Sequence, residues 1–299
     1  MEIVIVGCGY VGLELARQLA TRGHDVSGIR RSESGLAAVE SAGDGVQAVR
    51  ADVTDPDSLA ALPDADAVVF AASSGGGGPA AAREIYVEGL RNVLAEYDSR
   101  ARTPDRLVYT SSSGVYGDHD GQWVDEDTPI EPSTEKTRVL AAAEAVAIEE
   151  TAAAGIDGTV VRFAGLYGPG RYRLERYLTG PVTAGYLNMV HRADAAGAVT
   201  HLLETDAARG AVVLAVDDEP VEKHRFADWL ADAAGVPRPA KQSKDERLAA
   251  GDLSTAAKRR IRTEKRLSND RLHDLGYEFS VPTFREGYAE AVEAWPEEV

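Results

Sequence analysis

The chain has 299 residues, 44% of them hydrophobic and 27% charged, with a formal net charge of −17 at pH 7. That length holds one large or two modest domains, and the composition is that of an ordinary globular protein. So acidic a body repels nucleic acid and anionic membranes, and no run approaches the roughly 18 apolar residues of a membrane span.

The single cysteine, Cys8, makes no internal disulfide and suits a reducing cytoplasm. The opening MEIVIVGCGYVG lacks a basic leader and a cleavage site and reads as mature structure. Asp and Glu are spread along the chain rather than gathered in a tail, as in proteins kept soluble at high salt and in acidic cytosolic proteins generally.

In chain order, Glu2–Val6 is a short β-branched strand, and residues 10–22 then space Val11, Leu15 and Leu19 as on a helix. HDVSGI returns to strand character, residues 32–42 read as a helix, VQAVRA as a strand, and DVTDPDSLAAL as a capped helix. AVVFAA is an apolar strand. Residues 79–97 form a long helix with Ile85, Leu90, Val93 and Leu94 on one face. RLVYTSSS and GTVVRFAGL are further strands around an alanine-rich helix over 133–154. Beyond Gly168 the pattern loosens, with helices at 194–204, 269–276 and 284–295, another at RFADWLADAAG, and a strand at AVVLAV. Alternating strand and helix with short links predicts an α/β fold: a Rossmann-type, doubly wound parallel sheet covered on both faces. The division expected is a dinucleotide-binding domain over 1–168 and a small C-terminal substrate lobe over 169–299, with about 188–216 returning to the first domain.

Gly7, Gly9 and Gly12 form G-x-G-x-x-G between the first strand and the first helix. The glycines permit a tight turn, a close backbone approach to a pyrophosphate, and close helix–strand packing, while the N–H groups at Tyr10 and Val11 open the helix toward the anion. The second strand ends in Arg30 and Arg31 where an NAD site would place an acid, so NADP is preferred over NAD. Asp52 and Val53 follow the third strand, within reach of an adenine edge, and Asp52 doubles as a helix N-cap. Ala71, Ala72 and Ser73 leave room for the cofactor's backbone. The glycines after them are either a lid or a loose loop.

The motifs VIVGCGYVG, ADVTD, VVFAAS, VYTSSSGVYGD, VRFAGLYGPGR and NMVHRADAAGA occur in an order that resembles the extended short-chain dehydrogenase/reductase superfamily, of the NAD-dependent epimerase/dehydratase type. KRLSNDRLHDLGY extends the resemblance toward the C-terminus. Most members carry G-x-x-G-x-x-G; this chain is similar to an atypical branch with G-x-G-x-x-G. The resemblance implies hydride transfer, epimerisation or dehydration, often of nucleotide-linked sugars. It also implies that Ser112 is the catalytic serine, hydrogen-bonded to the substrate oxygen.

The family's base is a Tyr followed four residues later by a Lys, whose charge lowers the phenol's pKa. Counted from Pro132, those positions hold Lys136 and Leu140, and no Y-x-x-x-K occurs anywhere in the chain. Candidate replacements are Lys136, as a lysine partly shielded from water, Tyr116, Tyr86 and Tyr167. Tyr86 stands where the family usually has Asn. The alternatives are chemistry by Ser112 and the substrate alone, or a non-catalytic NAD(P) sensor or regulatory interaction protein.

On the substrate side, the resemblance points to Tyr167, Arg171, Asn188 and His191; an unperturbed imidazole titrates near 6.5. Asp194 reads as a helix N-cap. Lys258, Arg259, Arg260, Arg262, Lys265 and Arg266 are read either as a solvated face offset by nearby acids or as a site for a phosphorylated substrate. No metal-ligand spacing is present. The expected partner is a small carbohydrate-like molecule, nucleotide sugars included, in a cytoplasmic protein for which a homodimer stays open.

Overall fold

A computed structural model describes residues 1–251 and 253–295. Seven parallel strands form one sheet: β1 (Glu2–Val6), β2 (Asp25–Arg30), β3 (Val46–Arg50), β4 (Ala67–Phe70), β5 (Arg106–Ser112), β6 (Asp157–Phe163) and β7 (Ala211–Ala215). Their spatial order is β7-β6-β5-β4-β1-β2-β3. The chain runs outward from β1 to β3, then returns to the other side of β1 with β4. Ligands of open parallel sheets bind at the carboxyl ends of the strands where the order reverses, which here lies between β1 and β4.

The period of two along each strand divides the core between the two faces. Ile3 and Ile5 of β1, with Val69, Val108 and Val161, face Leu15 and Leu19 of α1 (Tyr10–Thr21) and the later helix Arg192–Glu204. Val4 and Val6, with Val68, Phe70 and Tyr109, face Leu90 and Val93 on the opposite side. Both faces are apolar, so the strands read as continuous β-branched runs rather than as alternating ones. Beyond Tyr167 a separate cluster, including Tyr177, Met189, Phe226, Phe284 and Tyr288, forms the core of a small lobe.

Three local readings change. The stretch DVTDPDSLAAL holds only a 3-10 helix, Pro56–Ala61, whose N-cap residue Asp55 makes no side-chain cap bond; Pro56 starts it at a fixed φ. The long helix begins as α2 (Pro79–Arg83) and continues as α3 (Gly89–Asp98), with a π-helical turn, Glu84–Glu88, between them. The alanine-rich helix α4 (Glu135–Ala145) likewise runs into a π turn, Val146–Glu150. Such turns cluster at functional positions, and the first of them carries Tyr86.

Candidate functional site

β1 ends at Val6 and the chain bends at Gly7, whose φ is +85°. A Cβ at Gly7 would fall 2.3 Å from Ala72 Cα and 2.7 Å from the Ala71 carbonyl carbon, so both the left-handed backbone and the nearby end of β4 require glycine. Gly9 caps α1 without a side-chain bond, and the first turn of α1 holds no acid. The helix therefore opens with uncapped N–H groups and an uncompensated positive dipole end, which suits a diphosphate. A Cβ on Gly12 would meet the Gly7 carbonyl oxygen at 3.2 Å, so the helix rests directly on the loop.

The loop forms one wall of a cleft of about 680 Å³. Gly7, Gly9, Tyr10, Val11, Gly12, Arg30, Arg31, Asp52, Val53, Ala71, Ala72 and Ser73 all line it. Val53 is fixed by α3: Asn92 Nδ2 donates to its carbonyl oxygen at 2.9 Å, and Gly89 leaves room for its side chain. Asp52 caps no helix. Its carboxylate accepts from Thr54 N–H at 3.0 Å and from the Thr54 hydroxyl at 2.9 Å, closing a local turn, and these bonds outweigh burial and hold its pKa down.

The two arginines differ. Arg31 is exposed and donates to Asp52 Oδ2 at 3.2 Å. Arg30 is half-buried, makes no ion pair among the described residues, and folds back toward the loop, where a Cβ on Gly9 would stand 3.1 Å from its Nη1.

Of the catalytic candidates, Ser112, Tyr86 and Lys136 line the same cleft, together with Leu140 at the position of the family's lysine. Ser112 Oγ accepts from Gly114 N–H at 3.2 Å, capping the turn Ser113–Tyr116, which leaves its own proton free to donate. The Tyr86 side chain is 8% exposed. Burial pushes its phenol up, but hydrogen bonds from the Ser74 N–H and hydroxyl, a further one from Ser73, and the charge of Lys136 outweigh it, so the net direction is down. Lys136 itself is exposed on the first turn of α4, so it lacks the shielding from water that a lysine base needs. Tyr116 lines neither this cleft nor the cavity beside it. It is fully buried, its hydroxyl accepts from Arg162 Nη1 at 2.7 Å, and burial pushes it up to about 12.

A second cavity of about 300 Å³ adjoins the cleft and shares Ser112 and Arg171 with it. Tyr167 and Asn188 line it, but both side chains are committed elsewhere. Tyr167 donates to the Thr283 carbonyl at 3.4 Å, and burial pushes its phenol far up. Asn188 donates to the Lys265 carbonyl and accepts from Leu267 N–H, pinning that segment. His191 lines neither cavity. It caps the helix Arg192–Glu204 by accepting from Ala193 N–H at 3.3 Å, and burial lowers its pKa, which removes it as a group titrating near 6.5.

Asp194, expected as that cap, is instead fully buried and accepts from the Tyr277 hydroxyl and from Ser280 and Val281 N–H. The basic segment touches neither cavity, so it meets no substrate there. Lys258, Arg259, Arg260 and Arg262 form no ion pair among the described residues, while Glu264 of the same segment pairs with Lys244 and Asp118 lies near Lys265. Among those residues no cluster of His, Cys, Asp or Glu is arranged to hold a metal ion.

The sequence profile of the NAD dependent epimerase/dehydratase family matches residues 3–215. The chain belongs to this family. Protein YeeZ of Escherichia coli K12 is 34% identical over 208 residues, which span 68% of this chain and 73% of YeeZ. A Methylobacillus flagellatus structure described as an NAD-dependent epimerase/dehydratase is 32% identical, with a TM-score of 0.77 and 98% of each chain covered. The human epimerase family protein SDR39U1, solved with NADPH, shares the fold at 20% identity and a TM-score of 0.75, over 98% of this chain and 100% of that one. The NAD dependent epimerase/dehydratase family binds NAD(P), and here the glycine loop and Ser112 line one cleft at the switch point.

Several residues of this family member had no individual signal in the sequence. Ser74, the donor to Tyr86, lies in the low-complexity loop after β4. Glu144 and Arg162 form a buried pair at 2.7 Å that also takes the Ser111 hydroxyl at 2.6 Å, directly behind Ser112. Arg162 sits within VRFAGLYGPGR and Glu144 within the alanine-rich helix, but neither position marks its partner.

Proposed function

We propose that the protein is an NADP(H)-dependent oxidoreductase or epimerase/dehydratase-like enzyme acting on a carbohydrate-like small molecule, in the cytoplasm. The observation that carries this reading is the convergence of the glycine loop, Ser112, Tyr86 and Lys136 on one cleft. The loop's glycines, uncapped helix start and adjoining small residues fit a dinucleotide diphosphate. Arg30, with no acid at the end of β2, would hold the 2′-phosphate of NADP.

A bound nicotinamide would supply or accept hydride at the substrate carbon. The chain's own residues handle the oxygen. Ser112 donates a hydrogen bond to it. Tyr86 exchanges the proton, giving it up in reduction and taking it back in oxidation, with its phenol biased toward the ionised form by Ser74 and Lys136. Tyr86 and Lys136 thus take over, from two different helices, the work of a Tyr-x-x-x-Lys pair on one.

The non-catalytic sensor remains the rival because Leu140 occupies the lysine position in the cleft wall. The two separate by titrating NADPH into the full chain and then following its absorbance with a panel of carbonyl substrates, in parallel with Ser112→Ala. NADPH that binds but is never oxidised, with a biological role that survives Ser112→Ala, leaves only the sensor.

A further inference from the structure

The second cavity contains no carboxylate. That is unusual in a chain with 49 acidic residues, where arginines such as Arg91, Arg100, Arg102 and Arg285 all pair with Asp or Glu. Arg171 and Arg173 both line this cavity, both are exposed, and neither forms an ion pair among the described residues. They stand on one bend after Tyr167, held by the Arg171 N–H donating to the Gly168 carbonyl at 2.8 Å and by Gly170 at φ +75°. Arg171 packs over the Tyr10 ring at 4.3 Å, which holds its guanidinium between the phosphate loop and the second cavity.

Asn188 and Tyr167 have already spent their polar groups on the backbone. Leu187, Met189, Phe163 and Leu166 supply apolar wall. The charged groups left to a ligand near Ser112 are the two guanidinium groups, which match a carboxylate or a phosphate, with the Tyr177 and Tyr288 phenols beside them.

Size narrows the class. The adjoining cleft, proposed to take a dinucleotide, measures about 680 Å³, and the second cavity about 300 Å³. A nucleotide sugar approaches a dinucleotide in bulk, so the smaller cavity favours a smaller substrate.

The geometry points to a small anionic substrate, a hydroxy or keto compound of monosaccharide size, whose carboxylate or phosphate is bound by Arg171 and Arg173 while its reacting carbon lies at Ser112. This deepens the proposed function and rests on it for the role of Ser112.

The test is calorimetry at low ionic strength on the full chain saturated with NADP. The probes are gluconate and glucose 6-phosphate, with glucose as the neutral control and UDP-glucose as the nucleotide sugar. The expected result is binding of at least one small anion, at least tenfold tighter than glucose or UDP-glucose. Arg173→Gln should weaken it about tenfold and leave NADP affinity unchanged, because Arg173 lines only the second cavity. Gluconate against glucose 6-phosphate decides between carboxylate and phosphate. Glucose or UDP-glucose binding as well as the anions, no anion binding, or an Arg173→Gln protein that binds them as tightly would each overturn the inference. Failure of NADP to bind would instead remove the functional reading, and the anion titrations on the free chain would still decide this one.

Discussion

The Tyr86 hydroxyl stands 3.2 Å from both the amide nitrogen and the hydroxyl of Ser74. It is thus held by the loop that follows β4 while its own helix carries it into the cleft. If Tyr86 moves the substrate proton, Tyr86→Phe should lower kcat roughly 10²–10⁴-fold with little change in NADPH affinity. In the oxidation direction the wild-type rate should rise with pH through a midpoint below 10, since the phenol's pKa is lowered from 10.0. The variant should lose that limb. Steady-state kinetics across pH checks both, and an unaltered profile in Tyr86→Phe would remove Tyr86 from the mechanism.

The two arginines after β2 should not contribute equally. Arg31 already spends its charge on Asp52, whereas Arg30 faces the loop without a carboxylate partner. Arg30→Ser should weaken NADPH about tenfold or more and NADH little, and Arg31→Ser should have the smaller effect. Fluorescence titration of both coenzymes into both variants measures this, and equal losses for NADPH and NADH would remove the preference for the phosphorylated coenzyme.

Behind Ser112, Glu144 and Arg162 are 7% and 6% exposed at the side chain, and the carboxylate is shared with Ser111. Removing one partner strands the other in the core, so Glu144→Ala should cost roughly 3–5 kcal/mol in urea unfolding. The double variant Glu144→Leu with Arg162→Met should recover much of that loss. If the single and double variants were equally unstable, the pair would not be behaving as a buried ion pair.

Asp217 is 1% exposed, and neither of its carboxylate oxygens has a hydrogen-bond partner among the described residues. Burial, with Asp218, Glu219 and Asp194 nearby, raises its pKa well above 3.8. The folded state then holds a proton that the unfolded chain releases, so stability falls as pH rises above about 4. Asp217→Asn should flatten that slope, with the variant gaining on the wild type as pH rises above about 4 in thermal melts. A slope that persists in the variant would assign it to other groups.

The sheet was legible because both of its faces are apolar, which leaves unbroken β-branched runs such as Ile3–Val6, and because glycine spacing marks the turn after β1. The cleft was legible for the same reason: its walls are the strand ends themselves, and every residue expected to meet the dinucleotide lines it, whereas Tyr116, Tyr167 and His191 do not. Side-chain commitments were not legible. Asn188, Asp194 and Tyr116 have the right chemistry for a site, but their partners, Lys265 and Leu267, Tyr277 and Ser280, and Arg162, lie 46 to 86 positions away in the chain. Lys136 failed as a shielded base because helix position does not reveal exposure. His191 rather than Asp194 caps its helix, a choice between neighbours that composition does not rank.

The sheet's last strand has a consequence for biosynthesis. Ala211–Ala215 lies against Asp157–Phe163, and the first segments of the small lobe are translated between them. While a ribosome is making that insert, the growing chain presents the bare flank of Asp157–Phe163, with Val160 and Val161 among its residues, to every neighbour it meets. A pause or truncation anywhere between residues 164 and 210 should therefore yield a nascent product that aggregates or is held by chaperones, and release should wait until the closing strand has left the exit tunnel.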